Sequence, residues 1–177
     1  MKLISFILCV LFLIVLAANS TSDFTDGKKA QLSKEQMQEL VSKKAVIAVP
    51  TYIPVGFILK KVQSSEVPTD NYIAVDYSLL YQNSMGKKFK FQASNDGLGD
   101  IQINHELKSE NSTLDGPISV GHFDDKTSVA AQWIKAKKKF QPADIKNPIS
   151  YSLIAEDKAL STMQVRKIME SLRILKK

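Results

Sequence analysis

The chain has 177 residues and a formal net charge of +6, with 24 lysines and arginines against 18 acidic residues. This length accommodates one ordinary domain and a targeting segment. Nearly all the basic residues are lysines, whereas base edges and phosphates are bound best by arginine, so a nucleic-acid partner is not expected.

The N-terminus has the composition of a secretory signal peptide. A basic start, Met1-Lys2, precedes an apolar run from Leu3 to Ala18, and small residues suited to signal peptidase follow it. The run is shorter than the about 20 residues of a membrane-spanning helix, so we expect cleavage and a periplasmic or secreted protein. An N-terminal membrane anchor is the alternative. We predict a signal peptide over residues 1–20, a mobile leader over 21–31 and a single domain over 32–177.

Two helices are predicted from the same capping pattern. Ser33 and Gln36 form a capping box that predicts a helix over residues 33–44, and Ser161 and Gln164 repeat the box before a closing helix. The apolar stripe of the closing helix consists of Val165, Ile168, Met169, Leu172 and Leu175.

A double-proline stretch after the first helix predicts a rigid structural corner, because proline fixes its own φ and favours an extended residue before it. We place Pro54 at the second position of a turn and Gly56 at the last. Phe57 should enter the sheet with its ring against the closing helix near Ile168 or Leu172. The corner residues are Pro50, Tyr52, Pro54, Gly56 and Phe57.

Between the corner and the closing helix, apolar and polar residues alternate with period two, which is typical of strands with one buried face. The clearest strand runs from Ile73 to Tyr81 and returns through a hairpin at residues 82–86. We therefore predict an α+β fold: one curved, mostly antiparallel sheet of about seven strands, with an N-terminal and a C-terminal helix packed on it.

No catalytic, metal-binding or cofactor-binding residue is predicted, because the sequence contains no nucleophile elbow, zinc ligand set or phosphate loop. The single cysteine, Cys9, lies in the signal peptide. His105 and His122 lie in line with apolar strand faces and could meet across neighbouring strands. The glycine-bearing loop over residues 94–100 is interpreted as a turn, and Asn111 begins a glycosylation motif in a polar loop.

Two surfaces are candidates for binding. A dense run of positive charge predicts contact with an anionic surface through Lys135, Lys137, Lys138 and Lys139. A concave sheet face is a candidate site for an apolar ligand, lined by Tyr77, Tyr81, Phe91 and Trp133.

The corner sequence PTYIPVGF, from Pro50 to Phe57, resembles the P-x-YLP-x-GF opening of a family of small bacterial exported domains of unknown function. These domains occur alone or at the C-terminus of anti-sigma-like membrane proteins. The tyrosine-rich strand, the turn with Gly97 and Gly99, and the closing helix are similar too, so the resemblance covers roughly Val46 to Leu172. It implies an architecture similar to half-barrel lipoprotein carriers and no assigned activity.

These observations predict an exported, non-enzymatic binding or envelope-associated module. Its partner would be an unidentified protein, peptide or lipid-like ligand of the cell envelope, with transient membrane contact, and the chain would be a monomer. A secreted hydrolase-like enzyme using His105 or His122 is one alternative. A binder of anionic polymers or membrane surfaces through Lys135 to Lys139 is the other.

Overall fold

The computed structural model describes residues 26–99, 101–114, 116–124, 126–133 and 149–175. The predicted signal peptide and the lysine run from Lys135 to Lys139 lie outside these residues. Within the described ranges, no helix is long and apolar enough to cross a membrane.

The described chain is an α+β fold that contains two regular helices and nine strands. The helices are α1 (Lys34–Ser42) and α2 (Thr162–Glu170). The strands are β1 (Ala48–Pro50), β2 (Ile58–Pro68), β3 (Ile73–Gln82), β4 (Lys88–Ser94), β5 (Asn104–Asn111), β6 (Gly116–His122), β7 (Val129–Trp133), β8 (Ser150–Ala155) and β9 (Leu172–Ile174).

Seven strands form one open sheet in the order β2-β3-β4-β8-β7-β6-β5, and every neighbouring pair is antiparallel. The predicted antiparallel sheet of about seven strands is therefore confirmed. The chain passes from β4, third in this order, to β5 at the far edge, so the connection must cross the sheet. We call this connection, residues 95–99 and 101–103, the crossover segment.

Both predicted capping boxes are present, with Ser33 and Ser161 as N-caps bonded to Gln36 and Gln164. The helices are shorter than the apolar patterns indicate, however. Helix α2 ends at Glu170, and the next residues form β9, which pairs with β1 in a second, two-stranded sheet. The predicted helical stripe is therefore wrong at its end: Leu172 and Leu175 lie beyond the helix, although both residues are buried.

The end of α2 is fixed by the corner. The Ser171 hydroxyl donates to the Ile168 carbonyl at 2.6 Å and accepts from the N–H groups of Thr51 and Tyr52 at 3.1 and 3.0 Å. These bonds attach the first half of the corner to the helix end. In the second half, the Phe57 N–H bonds to the Pro54 carbonyl at 3.2 Å.

That last bond corrects the predicted turn by one position. Pro54 is its first residue and Gly56 its third, where the φ of +88° matches the positive value that a type II turn requires. The Phe57 ring lies edge-on to Phe89 of β4 with centroids 5.1 Å apart. Contact of this ring with the closing helix near Ile168 or Leu172 stays a prediction.

The period-two pattern predicts the buried face of the sheet correctly, and we call that face the inner face. On β3 and β4 it carries Tyr77 and Phe91, whose ring centroids lie 6.2 Å apart. Aromatic contacts continue from Phe91 to Tyr151 on β8 at 6.1 Å, and from Tyr151 to Trp133 on β7 at 5.2 Å. The inner face is therefore a packed core across at least four strands.

The inner face is covered by the chain that precedes β2 and by α2, which contacts β5, β6, β7 and β8. The Tyr77 hydroxyl donates to the Ala48 carbonyl at 2.6 Å and accepts from the Ala48 N–H at 2.9 Å. The Tyr81 and Tyr151 hydroxyls donate to the carbonyls of Ala30 and Val46, each at 2.8 Å. Within the predicted leader, a helical turn at residues 26–29 leads into Ala30, which is fully buried.

Alkaline pH should destabilise this fold. Burial raises the pKa of Tyr77, Tyr81 and Tyr151 above the ordinary value of 10.0. As the pH rises, these tyrosines lose their protons in the unfolded chain before they do so in the folded chain. The free energy of unfolding is therefore at its full value below about pH 10, and above it falls by about 1.4 kcal/mol per pH unit for each tyrosine. Urea unfolding between about pH 8 and about pH 11 measures this loss. The appearance of tyrosinate absorbance from these three residues in still-folded protein would contradict the explanation.

Candidate functional site: a polar cleft on the outer face

The opposite, outer face of the large sheet carries a row of polar side chains with one residue from each strand. Paired residues on neighbouring strands share a face and lie about 5 Å apart, so the strand register defines the row. In sheet order from β2 to β5, this polar row consists of Gln63, Ser78, Gln92, Ser152, Gln132, Ser119 and Lys108.

The crossover segment covers the middle of the polar row. Gln132 is only 7% exposed; its side-chain amide donates to the Gly99 carbonyl at 2.9 Å and accepts from the Ile101 N–H at 3.4 Å. Ser152 beside it is fully buried. The cover explains why every residue of β7 is buried. Residues 101–103 belong to the cover, and β5 begins at Asn104.

Two side chains attach the start of the crossover segment to β3 and to the turn that precedes β3. The buried Asn95 side chain accepts from the Val75 N–H at 2.7 Å and donates to the Ile73 carbonyl at 2.8 Å. The next residue, Asp96, accepts a hydrogen bond from the Tyr72 hydroxyl, which raises the pKa of Tyr72. The predicted turn over residues 94–100 is therefore part of a connection that is attached to β3 at one end and to β7 at the other.

An open cleft of about 270 Å³ lies beside the crossover segment, over the outer face of β2, β3 and β4. Leu98 forms the wall that belongs to the crossover segment. Six polar side chains of the lining belong to the outer face: Gln63, Ser65, Asp76, Ser78, Lys90 and Gln92. Ser64 and Tyr77 also line the cleft, from inner-face positions that pair with each other. The volume is near the lower limit of about 300 Å³ for small-molecule sites, so the cleft suits a small ligand or the end of a larger one.

The cleft contains one carboxylate and one ammonium group among neutral amides and hydroxyls. Asp76 lies four residues before Leu80 on β3, and Lys90 pairs with Leu80 from β4. From about 3.4 Å per residue and about 4.8 Å between strands, the Cα atoms of Asp76 and Lys90 are about 14 Å apart. The two charges therefore occupy opposite ends of the cleft.

The six outer-face polar side chains of the cleft have no partner among the described residues, whereas Ser64 bonds to Glu39 and Tyr77 to Ala48. Within the described part of the chain, none of the six makes a hydrogen bond or an ion pair with another protein group. Elsewhere, Asn95, Asn111 and Gln132 use their side-chain amides on backbone groups. Free donors and acceptors gathered in a concavity are typical of ligand sites.

The four aromatic residues of the candidate apolar-ligand face do not form an open surface. Tyr77, Tyr81, Phe91 and Trp133 are each at most 2% exposed. Ala30 and Ala48 bond to the hydroxyls of Tyr81 and Tyr77, and α2 contacts β7, the strand of Trp133. The corner is structural: Pro50, Pro54 and Phe57 are buried, and Tyr52 is 38% exposed.

His122 lies near the chain position of His105. The register places His122 opposite Asn104, the neighbour of His105, but the side chain of His105 lies outside the described residues. His122 is half-buried, and its Nδ1 has no hydrogen-bond partner among the described residues. Among the side chains that are described, no three histidine, cysteine, aspartate or glutamate residues come together as a group that could hold a metal.

Asn111 is a buried structural residue, not an exposed glycosylation acceptor. It is 1% exposed, and its amide donates to the carbonyls of Met169 and Glu170 at 2.8 and 3.0 Å. Its side-chain oxygen accepts from the N–H groups of Thr113 and Leu114, each at 2.8 Å. In the folded chain this side chain caps the end of α2 and cannot carry a glycan.

No protein-family model, curated protein or solved structure matches this chain. The resemblance to bacterial exported domains therefore stays a prediction.

Replacing Asn111 by alanine should lower the free energy of unfolding by about 3 kcal/mol, because buried backbone groups at the end of α2 lose their partners. Urea unfolding measures the change. The matched control is Ser112→Ala, which leaves the Asn111 side chain in place at an exposed neighbour and should change stability by less than about 0.5 kcal/mol. Equal stability of Asn111→Ala and the parent would show that the cap is unimportant.

Proposed function

We propose that this protein is an exported, non-enzymatic binding module of the cell envelope, and that its ligand site is the polar cleft. One observation carries the proposal: six polar side chains line a concavity without forming hydrogen bonds to the described protein. Burying such groups against a ligand is favourable only if the ligand supplies the missing partners. The ligand is therefore polar, rather than the apolar guest that the aromatic pattern suggests.

A binding role fits the neighbours of the cleft hydroxyls better than a catalytic one. Ser78 lies between Gln63 and Gln92 in the polar row. A serine nucleophile needs a base within hydrogen-bond reach, and neutral amides cannot accept its proton. The side chains around Ser78 suit recognition by hydrogen bonds.

We also propose that the protein is exported and that its large sheet is curved. The apolar run from Leu3 to Ala18 supports a cleaved signal peptide and a periplasmic or secreted monomer. The architecture we propose is a curved sheet with a helix from each end of the chain packed on it, similar to half-barrel lipoprotein carriers. The ligand would bind on a different face than in those carriers, because the chain's own residues fill the inner face and leave the outer face for the ligand.

Ligand-induced NMR shifts of the exported protein test this proposal with a panel of short peptides, neutral oligosaccharides and acyl-chain lipids. We expect a saturable response to a polar ligand, confined to β2, β3, β4 and Leu98. Ser78→Leu should fill the cleft and weaken binding about tenfold or more. Ser119→Leu, a change to the same polar row outside the cleft, should leave the affinity unchanged.

The proposal fails if no polar ligand shifts the cleft residues, or if the two leucine variants weaken binding equally. Shifts centred on the residues around Phe91 and Trp133, caused by a lipid, would transfer the site to the inner face.

A further inference from the structure

We propose that the polar cleft binds a short zwitterionic peptide, with its amino terminus at Asp76 and its carboxylate at Lys90, an inference that rests on the proposed function. The covered half of the polar row shows how a glutamine of this row binds a chain.

In the covered half, a glutamine of the row already binds peptide backbone. The Gln132 side chain donates to the carbonyl of Gly99 and accepts from the N–H of Ile101, two residues further along the crossover segment. A side-chain amide has one acceptor oxygen and an NH₂ donor, which complement the carbonyl and N–H of peptide groups. The crossover segment is thus an internal peptide seated on the polar row.

In the open half, Gln63 and Gln92 offer the same groups without a partner among the described residues. They flank Ser78 at a distance of two strand spacings, about 10 Å between their Cα atoms. A peptide that runs along β3 from Asp76 towards Lys90 passes over Ser78, with one of these amides on each side of it.

The charges at the ends of the cleft indicate a free peptide instead of a segment within a longer chain. A carboxylate binds an ammonium group and a lysine binds a carboxylate through charge-assisted hydrogen bonds. Lys61 also pairs with Leu80, from β2, so the Lys90 end carries a second positive charge on the outer face. The Cα atoms of Asp76 and Lys90 are about 14 Å apart. The long side chain of Lys90 brings its ammonium group closer to Asp76, so the distance between the two charged groups matches the span of a di- or tripeptide.

A neutral glycan suits the cleft less well. Sugar rings stack on aromatic faces, whereas the one aromatic residue of the described lining, Tyr77, has its ring in the core, where its hydroxyl bonds to Ala48. A neutral sugar also offers no charged partner to Asp76 or Lys90, whereas a zwitterionic peptide offers one to each.

Calorimetric titration of the exported protein with trialanine, N-acetyl-trialanine and trialanine amide tests the assignment. Blocking either terminus should weaken binding to the parent about tenfold. Asp76→Asn should remove the penalty for acetylation and keep the penalty for amidation, and Lys90→Gln should do the reverse. The matched controls, Asp70→Asn and Lys88→Gln, remove the same charges at exposed positions outside the cleft and should behave like the parent.

Three results would overturn the inference. Equal binding of trialanine and both blocked peptides would show that the terminal charges are not recognised. A neutral oligosaccharide that shifts the cleft residues, when trialanine does not, would refute the peptide and leave the proposed binding function intact. Failure of every peptide and oligosaccharide to shift the cleft residues would refute both.

Discussion

The structure depends on three tyrosine hydroxyls that bind the backbone of the chain before β2. Tyr77, Tyr81 and Tyr151 extend from the inner face of the sheet and bond to Ala48, Ala30 and Val46. A buried phenol without a partner costs free energy, as does a buried carbonyl, so each bond satisfies two groups at once. These bonds fix the N-terminal segment over the aromatic core and close the inner face.

Closure of the inner face leaves the outer face for function, and the crossover segment divides that face in two. Over β8 and β7 the segment covers the polar row and satisfies Gln132. Over β2, β3 and β4 the row is uncovered, and Gln63 and Gln92 face the cleft. The same row of amides and hydroxyls thus stabilises the fold in one half of the sheet and is available to a ligand in the other.

Features with a local cause could be predicted from the sequence. The capping boxes at Ser33 and Ser161 depend on residues three positions apart, and the buried face of β3 depends on alternation within one strand. Position along the chain therefore suffices to predict them. The number of large-sheet strands follows from the same alternation.

Features with a distant cause could not be predicted. The polar row exists only because Gln63, Gln92 and Gln132 fall in one register across strands that are far apart in sequence. Asn111 lies in a glycosylation motif, and only its contacts with α2, 58 residues away, show that it is buried. The alternating polar residues of each strand were the available signal for the cleft. Which of these residues become neighbours depends on the order of the strands in the sheet, and residue spacing within a strand does not reveal that order.

Amide hydrogen exchange of Ala48, whose N–H bonds to the Tyr77 hydroxyl, tests the closed inner face most directly. Phe91, in the interior of the large sheet between β3 and β8, is the internal standard. If the tyrosine bonds hold the N-terminal segment in place, both amides should exchange only through global unfolding and with similar protection. Exchange of Ala48 many times faster than that of Phe91 would show that the segment opens while the sheet stays folded. The inner face would then be accessible, contrary to this account.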